Sequence, residues 1–161
     1  MSKANAIAAE GGLKIITDNR KARHNYFLED RYEAGMVLTG TEVKALRDGK
    51  ANLADSYAVF MDGEMFLLNA HIAPYNFGNR ANHETLRSRK LLLNKSELVK
   101  LSHKMMNKGF SLIPTKMYFK NGKAKVEIAL ARGKKAHDKR GDIKDREAKR
   151  EMDRLTKQIP R

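Results

Sequence analysis

A chain of 161 residues with 33 Lys or Arg against 19 Asp or Glu carries +14 at neutral pH, and charge of that sign attracts phosphate backbones by releasing their condensed counterions. The absence of cysteine excludes disulfides, thiolate catalysis and cysteine zinc sites, and the longest aliphatic runs, of three or four residues, are too short to span a bilayer. The length suits one domain plus a tail, and an N-terminus without an apolar core segment makes the cytoplasm the expected compartment.

In chain order, residues 1–12 predict a flexible leader, 13–131 a folded body and 132–161 a basic tail. Leu13, Ile15 and Ile16 suit a first short strand. From Tyr26 the apolar positions Tyr26, Leu28, Tyr32, Met36 and Leu38 alternate with charged ones, the period of a half-buried strand, and Gly35 within it suggests a bulge or bend. Thr41 as N-cap, Val43 and Leu46 three apart and Gly49 as terminator predict a helix of about two turns. Asp62-Gly63 between two apolar runs predicts a type I′ hairpin, because both turn residues need positive φ. Residues 74–88 read as a long loop, and Asn94-Lys95-Ser96-Glu97 opens a helix carrying Leu98, Leu101, Met105 and Met106 that Gly109 closes. Strands 110–119 and 124–131 flank Asn121-Gly122, a second hairpin; in the latter, Val126, Ile128 and Leu130 face one way and Lys125 and Glu127 the other. About six strands joined mainly as hairpins, with two or three short helices, predict a mainly β fold: a closed antiparallel six-stranded OB-like barrel.

The tail holds twelve Lys or Arg against six Asp or Glu and no aromatic residue, so it cannot bury enough surface to offset its ordering entropy. It is predicted to be disordered alone and ordered on a polyanion. Ala148, Met152, Leu155 and Ile159 recur at spacings of four, three and four, a narrow helical stripe among charges.

The five histidines lack metal-ligand spacing, and no phosphate-cradling glycine loop or GxSxG elbow is present. Asn19 to Phe27, NRKARHNYF, mixes cations with flat side chains, as RNA readers do, or else forms a solvated strand entry. In RSRKLLLN the three leucines suit a core, while the flanking Arg87, Arg89 and Lys90 belong on a surface. Glu33 is either a surface ion-pair partner or an acceptor for a base edge, and Lys125 by default an exposed lysine. In GKKAHDKR a histidine sits inside a lysine and arginine cluster, a stacking ring among phosphate binders. These features leave open a generic ribosomal protein or RNA chaperone and, from another class, an RNA-processing enzyme.

GKKAHDKR, EAGMVLTGTEVKALRDGKANLADSY, RSRKLLLN and KARHNYF, in one order from about Asn19 to the C-terminus, resemble the transfer-messenger RNA (tmRNA) binding family, the SsrA-binding or small protein B proteins. The resemblance implies an OB-like barrel that binds the tRNA-like domain of tmRNA. It implies delivery with elongation factor Tu and GTP to the vacant A site of a stalled bacterial ribosome, for tagging of the incomplete protein. It implies no catalysis, no cofactor or metal, and a monomer. By position, the residues it assigns to RNA are Glu33, Leu92, Asn94 and Lys125, with Arg23, His24 and Lys44 as additions. To the decoding centre and empty mRNA channel of the small subunit it assigns Lys134, Lys135, His137, Asp138, Lys139 and Arg140, with His137 stacking on a base, and Ile143 and Leu155 on an induced helix. The chain departs from the family pattern at Ala148, where many members carry an aromatic residue, and at His83-Glu84-Thr85, where members often read HDP.

Overall fold

The computed structural model describes residues 12–78, 82–107 and 109–158; the predicted leader, Gly12 apart, and Ile159 of the tail stripe lie outside these. Strand β1 (Leu13–Asp18) leads into helix α1 (Arg20–Asn25), long strand β2 (Tyr26–Met36) and helix α2 (Gly40–Arg47). The two-residue strand β3 (Ala51–Asn52) precedes the hairpin of β4 (Tyr57–Met61) and β5 (Glu64–Leu68). After β6 (His71–Ile72) and the loop come β7 (Arg89–Leu92), helix α3 (Lys95–Met105), strands β8 (Phe110–Lys120) and β9 (Lys123–Gly133), and helix α4 (Ala136–Lys157).

Six antiparallel strands close on themselves in the order β4-β5-β7-β2-β9-β8, the ring being completed where Ala58 of β4 faces Leu112 of β8. This is the expected six-stranded OB-like barrel. β1 adds to the open side of β8, and β3 pairs with β6 in a separate ribbon. Both predicted hairpin turns have positive φ at both positions, Asp62 and Gly63 at 51° and 77° and Asn121 and Gly122 at 51° and 76°, the type I′ geometry that matches strand twist. Inward side chains such as Met65, Leu67, Leu112, Met117, Val126 and Ile128 fill the ring, and α3 packs Leu101 against it.

The structure corrects several expectations. Four helices occur among the described residues, not two or three. The basic cluster 20–25 is helical because the buried Asn19 side chain accepts from the Ala22 N–H and donates to the Leu53 and Pro114 carbonyls, an N-cap tied into the body. Thr39, not Thr41, caps α2. The bulge in β2 lies between Leu28 and Arg31, while Gly35 pairs regularly with both Leu92 and Lys125; a Cβ there would stand 3.4 Å from that of Leu92, so Gly35 marks a close approach of side chains. β9 runs two residues past Ala131, to Gly133. The tail, expected to be disordered alone and helical when bound, is helix α4 from Ala136 to Lys157, with no buried residue along it.

The sharpest correction concerns RSRKLLLN. Arg89 is 0 % exposed: its guanidinium donates to Glu42 at 2.7 Å and to the carbonyls of Ala70 at 2.7 Å and Thr85 at 3.2 Å. Arg87 takes the other Glu42 oxygen at 2.7 Å and the Val37 carbonyl at 3.1 Å. A buried charge is tolerable only with every donor and acceptor matched, and this carboxylate unites α2, β7 and the loop. His83 pins the same loop, one ring nitrogen 2.9 Å from Thr41 Oγ1 and the other 3.0 Å from the Ile72 carbonyl.

Candidate nucleic-acid interface

Strand register decides which polar side chains share the outer wall. Gly35 on β2 faces Leu92 on β7 and Lys125 on β9, and Lys125 in turn faces Tyr118 on β8. Cross-strand partners point to the same side, so Leu92, Lys125 and Tyr118 form one transverse row interrupted by the side-chain-free Gly35. Glu33, two residues before Gly35, lies on the same face. Leu91 is buried and Leu92 is 51 % exposed, the alternation that puts one leucine in the core and its neighbour on the wall.

A cleft of about 320 Å³ opens along this row, lined by Gly35, Leu38, Val43, Leu92, Lys123 and Lys125 among others. Its lining is apolar apart from two glycines and the cations Lys123 and Lys125. Lys44 stands beside the lining residue Val43 on α2, exposed, its ammonium 5.5 Å from the Tyr75 ring centroid. Asn94, two residues past the end of β7, is exposed at the head of α3, where it forms a capping box with Glu97, its backbone N–H donating to the Glu97 carboxylate at 3.2 Å.

Glu33 accepts the Tyr118 hydroxyl on Oε2 and lies 3.4 Å and 3.5 Å from Lys120 Nζ through Oε2 and Oε1. The Tyr118 hydrogen bond, with Lys120 and the charge of Lys125 assisting against partial burial, holds the carboxyl below the usual glutamate range. Burial and the neighbouring carboxylate push the Tyr118 hydroxyl upward, so at neutral pH it is a proton donor. Glu33 is therefore an ionised acceptor among cations.

Arg23 and His24 do not join this group. They lie on α1, at the opposite end of β2: Tyr26 is seven residues from Glu33, about 23 Å along a strand. There they adjoin the root of the tail. The Lys134 N–H donates to the Asn25 carbonyl at 2.8 Å, and its ammonium reaches the Arg23 carbonyl at 3.1 Å, the Asp142 carboxylate and the face of Phe27, 5.2 Å from the ring centroid. With a side chain only 10 % exposed, Lys134 is spent on the body. The Lys134 hydrogen bond holds Asp142 below the usual aspartate range.

Beyond this pin the predicted tail residues face outward. Lys135 and Arg140 are exposed and Lys139 partly so, while His137 is 76 % exposed, its Nε2 3.0 Å from Asp138 Oδ1. Asp138 also accepts the Lys135 N–H at 3.2 Å and so caps α4. Ile143 and Leu155 are exposed apolar side chains with no core to enter.

A family model described as SmpB protein matches residues 16–158, which takes in the barrel, the cleft and α4. The chain belongs to the SmpB protein family. It is 60% identical over 141 residues to an SsrA-binding protein of Geobacter metallireducens, covering 88% of this chain and 92% of the relative. It is 56% identical over 146 residues to an SsrA-binding protein of Desulfitobacterium hafniense, covering 91% and 94%. Among solved structures it is similar, at 53% identity and a TM-score of 0.64, to a chain described as "tmRNA-SmpB: a journey to the center of the bacterial ribosome", covering 74% of this chain and 85% of that one.

Within this SmpB barrel, sequence reasoning had passed over Tyr118 and Lys120. A signal for both existed: in a two-residue hairpin centred on Asn121-Gly122, the positions of facing residues add to a constant, so Tyr118 must oppose Lys125 and Lys120 must oppose Lys123.

Proposed function

We propose that the cleft between β7, β2 and β9 holds the tRNA-like domain of tmRNA, and that the chain carries this RNA to the A site of stalled ribosomes for trans-translation. The observation that carries the reading is the ionised Glu33, near Lys120 and Lys125, on the same face of the barrel as the exposed Leu92 that lines the cleft. A carboxylate weakens a purely electrostatic phosphate site, so its place there suits base or sugar N–H and O–H donors, with lysines on neighbouring phosphates and Leu92 on an apolar ring face. The similar SmpB chain named together with tmRNA and the bacterial ribosome supplies the RNA and the destination.

In this reading the body and the tail divide the work. Lys135, His137, Asp138, Lys139 and Arg140 meet the decoding centre, and α4, with Ile143 and Leu155, follows the empty mRNA channel. Entry with elongation factor Tu and GTP belongs to the same reading. The chain acts as a monomer in the cytoplasm. Cutting it after Gly133 removes α4 and leaves the barrel; the shortened protein should bind a transcript of the tRNA-like domain within about threefold of the full chain yet support no tagging on stalled ribosomes. Loss of RNA binding, or retained tagging, would refute the division.

A further inference from the structure

The pair formed by Tyr118 and Glu33 has a direction that the cleft alone does not require. Tyr118 is 4 % exposed, its ring covered by its neighbours on the outer face, with Lys116 Nζ 5.7 Å from the ring centroid. A buried phenol needs a hydrogen-bond partner, and this one uses its single proton on Glu33 Oε2. The opposite oxygen, Oε1, has Lys120 as its one hydrogen-bond partner among the described residues, at the long distance of 3.5 Å. The other charged groups on this face are engaged elsewhere or stand aside. Glu127 on β9 accepts from Thr115 at 2.7 Å and Arg31 at 3.2 Å and lies 3.5 Å from Lys116, and Lys125 reaches across Gly35.

We propose that Tyr118 is a positioning residue for RNA binding: its hydroxyl turns the Glu33 carboxylate so that Oε1 points outward as the acceptor for an N–H donor on an unpaired base edge. This rests on the reading of Glu33 as an RNA contact. A phenylalanine would fill the same space, so the hydroxyl, not the ring, carries the role. Without it, Glu33 turns toward Lys120 or Lys125, and its carboxyl loses the interaction that most depresses its proton affinity.

The test uses the full chain and a transcript of the tRNA-like domain of tmRNA, with Tyr118→Phe, Glu33→Gln and the double variant, by filter binding at pH 7 and pH 5. Tyr118→Phe should weaken binding about three- to tenfold at pH 7, the range of one net hydrogen bond. The double variant should bind no worse than Glu33→Gln, because the hydroxyl acts through that carboxylate. At pH 5 the Tyr118→Phe deficit should widen, since Glu33 protonates at a higher pH once the donor is gone. A ¹³C titration of the Glu33 carboxyl in the RNA-free protein should show the same upward move of its midpoint, independent of any change in RNA affinity. Additive losses in the double variant, binding within twofold of wild type, or an unmoved midpoint would each overturn the proposal. An unaffected Glu33→Gln variant would instead overturn the RNA role of Glu33, and the proposal with it.

Discussion

Replacing Arg89 with methionine keeps an unbranched stem in place and removes the guanidinium and its charge from a fully buried site. Four acceptors lose a donor: one oxygen of Glu42, itself 0 % exposed, the carbonyls of Ala70 and Thr85 and, at 3.5 Å, that of Glu84. Each buried acceptor left unpaired costs about 1–3 kcal/mol, and breaking a buried ion pair costs about 3–5 kcal/mol in all. Arg87 still holds the second Glu42 oxygen at 2.7 Å, so the charge is not orphaned and a loss of about 3–5 kcal/mol is expected, not the sum of the separate penalties. A domain of this size holds about 5–15 kcal/mol in reserve and loses about 2–4 °C per kcal/mol, so Tm should fall by about 6–20 °C. Urea and thermal melts by circular dichroism at pH 7 measure this directly. The pH dependence is a second check. Burial raises the Glu42 proton affinity, but hydrogen bonds and charge from Arg87 and Arg89 outweigh it and leave the carboxyl below its unfolded value near 4.5. A depressed folded pKa contributes stability that is complete above the unfolded value and is lost as pH falls through the folded one. The gap between wild type and Arg89→Met should therefore narrow below about pH 4.5. A loss under about 1 kcal/mol at pH 7, the scale of an exposed pair, or a gap that does not change with pH would refute the assignment of the cluster as a buried ionic clasp.

Leu92→Ala removes an exposed side chain, so urea melts should shift by under about 1 kcal/mol while affinity for the tRNA-like domain drops several-fold. A fall in stability without a fall in affinity would assign Leu92 to the core instead. Lys134→Gln deletes the ammonium that meets Asp142 and the Arg23 carbonyl; the melt of the body should move by about 1 kcal/mol or less, while amide exchange over 136–142 quickens. Unchanged exchange would mean that the backbone bond from Lys134 N–H to Asn25 fixes the root without help from the side chain.

The hairpins were legible because Asp-Gly and Asn-Gly fix both turn geometry and register, and register in turn fixes the faces: Val126, Ile128 and Leu130 are inside and Lys125 is outside, as the alternation requires. The opposition of Tyr118 to Lys125 followed from the same rule and needed only to be counted. Helix α1 was also legible, through Asn19 as an N-cap, but the string of cations after it drew the reading toward an RNA-reading cluster or a solvated strand entry. The burial of Arg89 was not legible. A charge is placed on the surface by default, and the exception depends on Glu42, Ala70 and Thr85, distant in sequence, converging on one guanidinium. Nor does local sequence divide the RNA candidates. KARHNYF and YEAG lie on one continuous segment, yet β2 carries them to opposite ends of the barrel.

That separation constrains how one small protein deals with two polyanions. Gly35 stands at the cleft and Tyr26, paired with Gly133, stands at the root of α4, nine residues and about 30 Å apart on a strand hydrogen-bonded to β9 for most of its length. A closed barrel does not fold to shorten that span, and 30 Å exceeds the screening length at physiological salt about fourfold. Charge at one end is thus nearly invisible at the other. The β4–β5 hairpin supports the partition, since residues 51–79 contain no Lys or Arg and include Asp55, Asp62 and Glu64. Asp55 pairs with Lys21 and Glu64 with Lys90, so this part of the wall supplies no cation of its own to a phosphate. RNA held at the cleft leaves the cations of α4 unneutralised, and an anionic channel occupied by α4 leaves the cleft unchanged. On the proposed division between cleft and tail, binding at one end therefore leaves the charge at the other unscreened by that partner, and the two steps can follow one another without electrostatic interference.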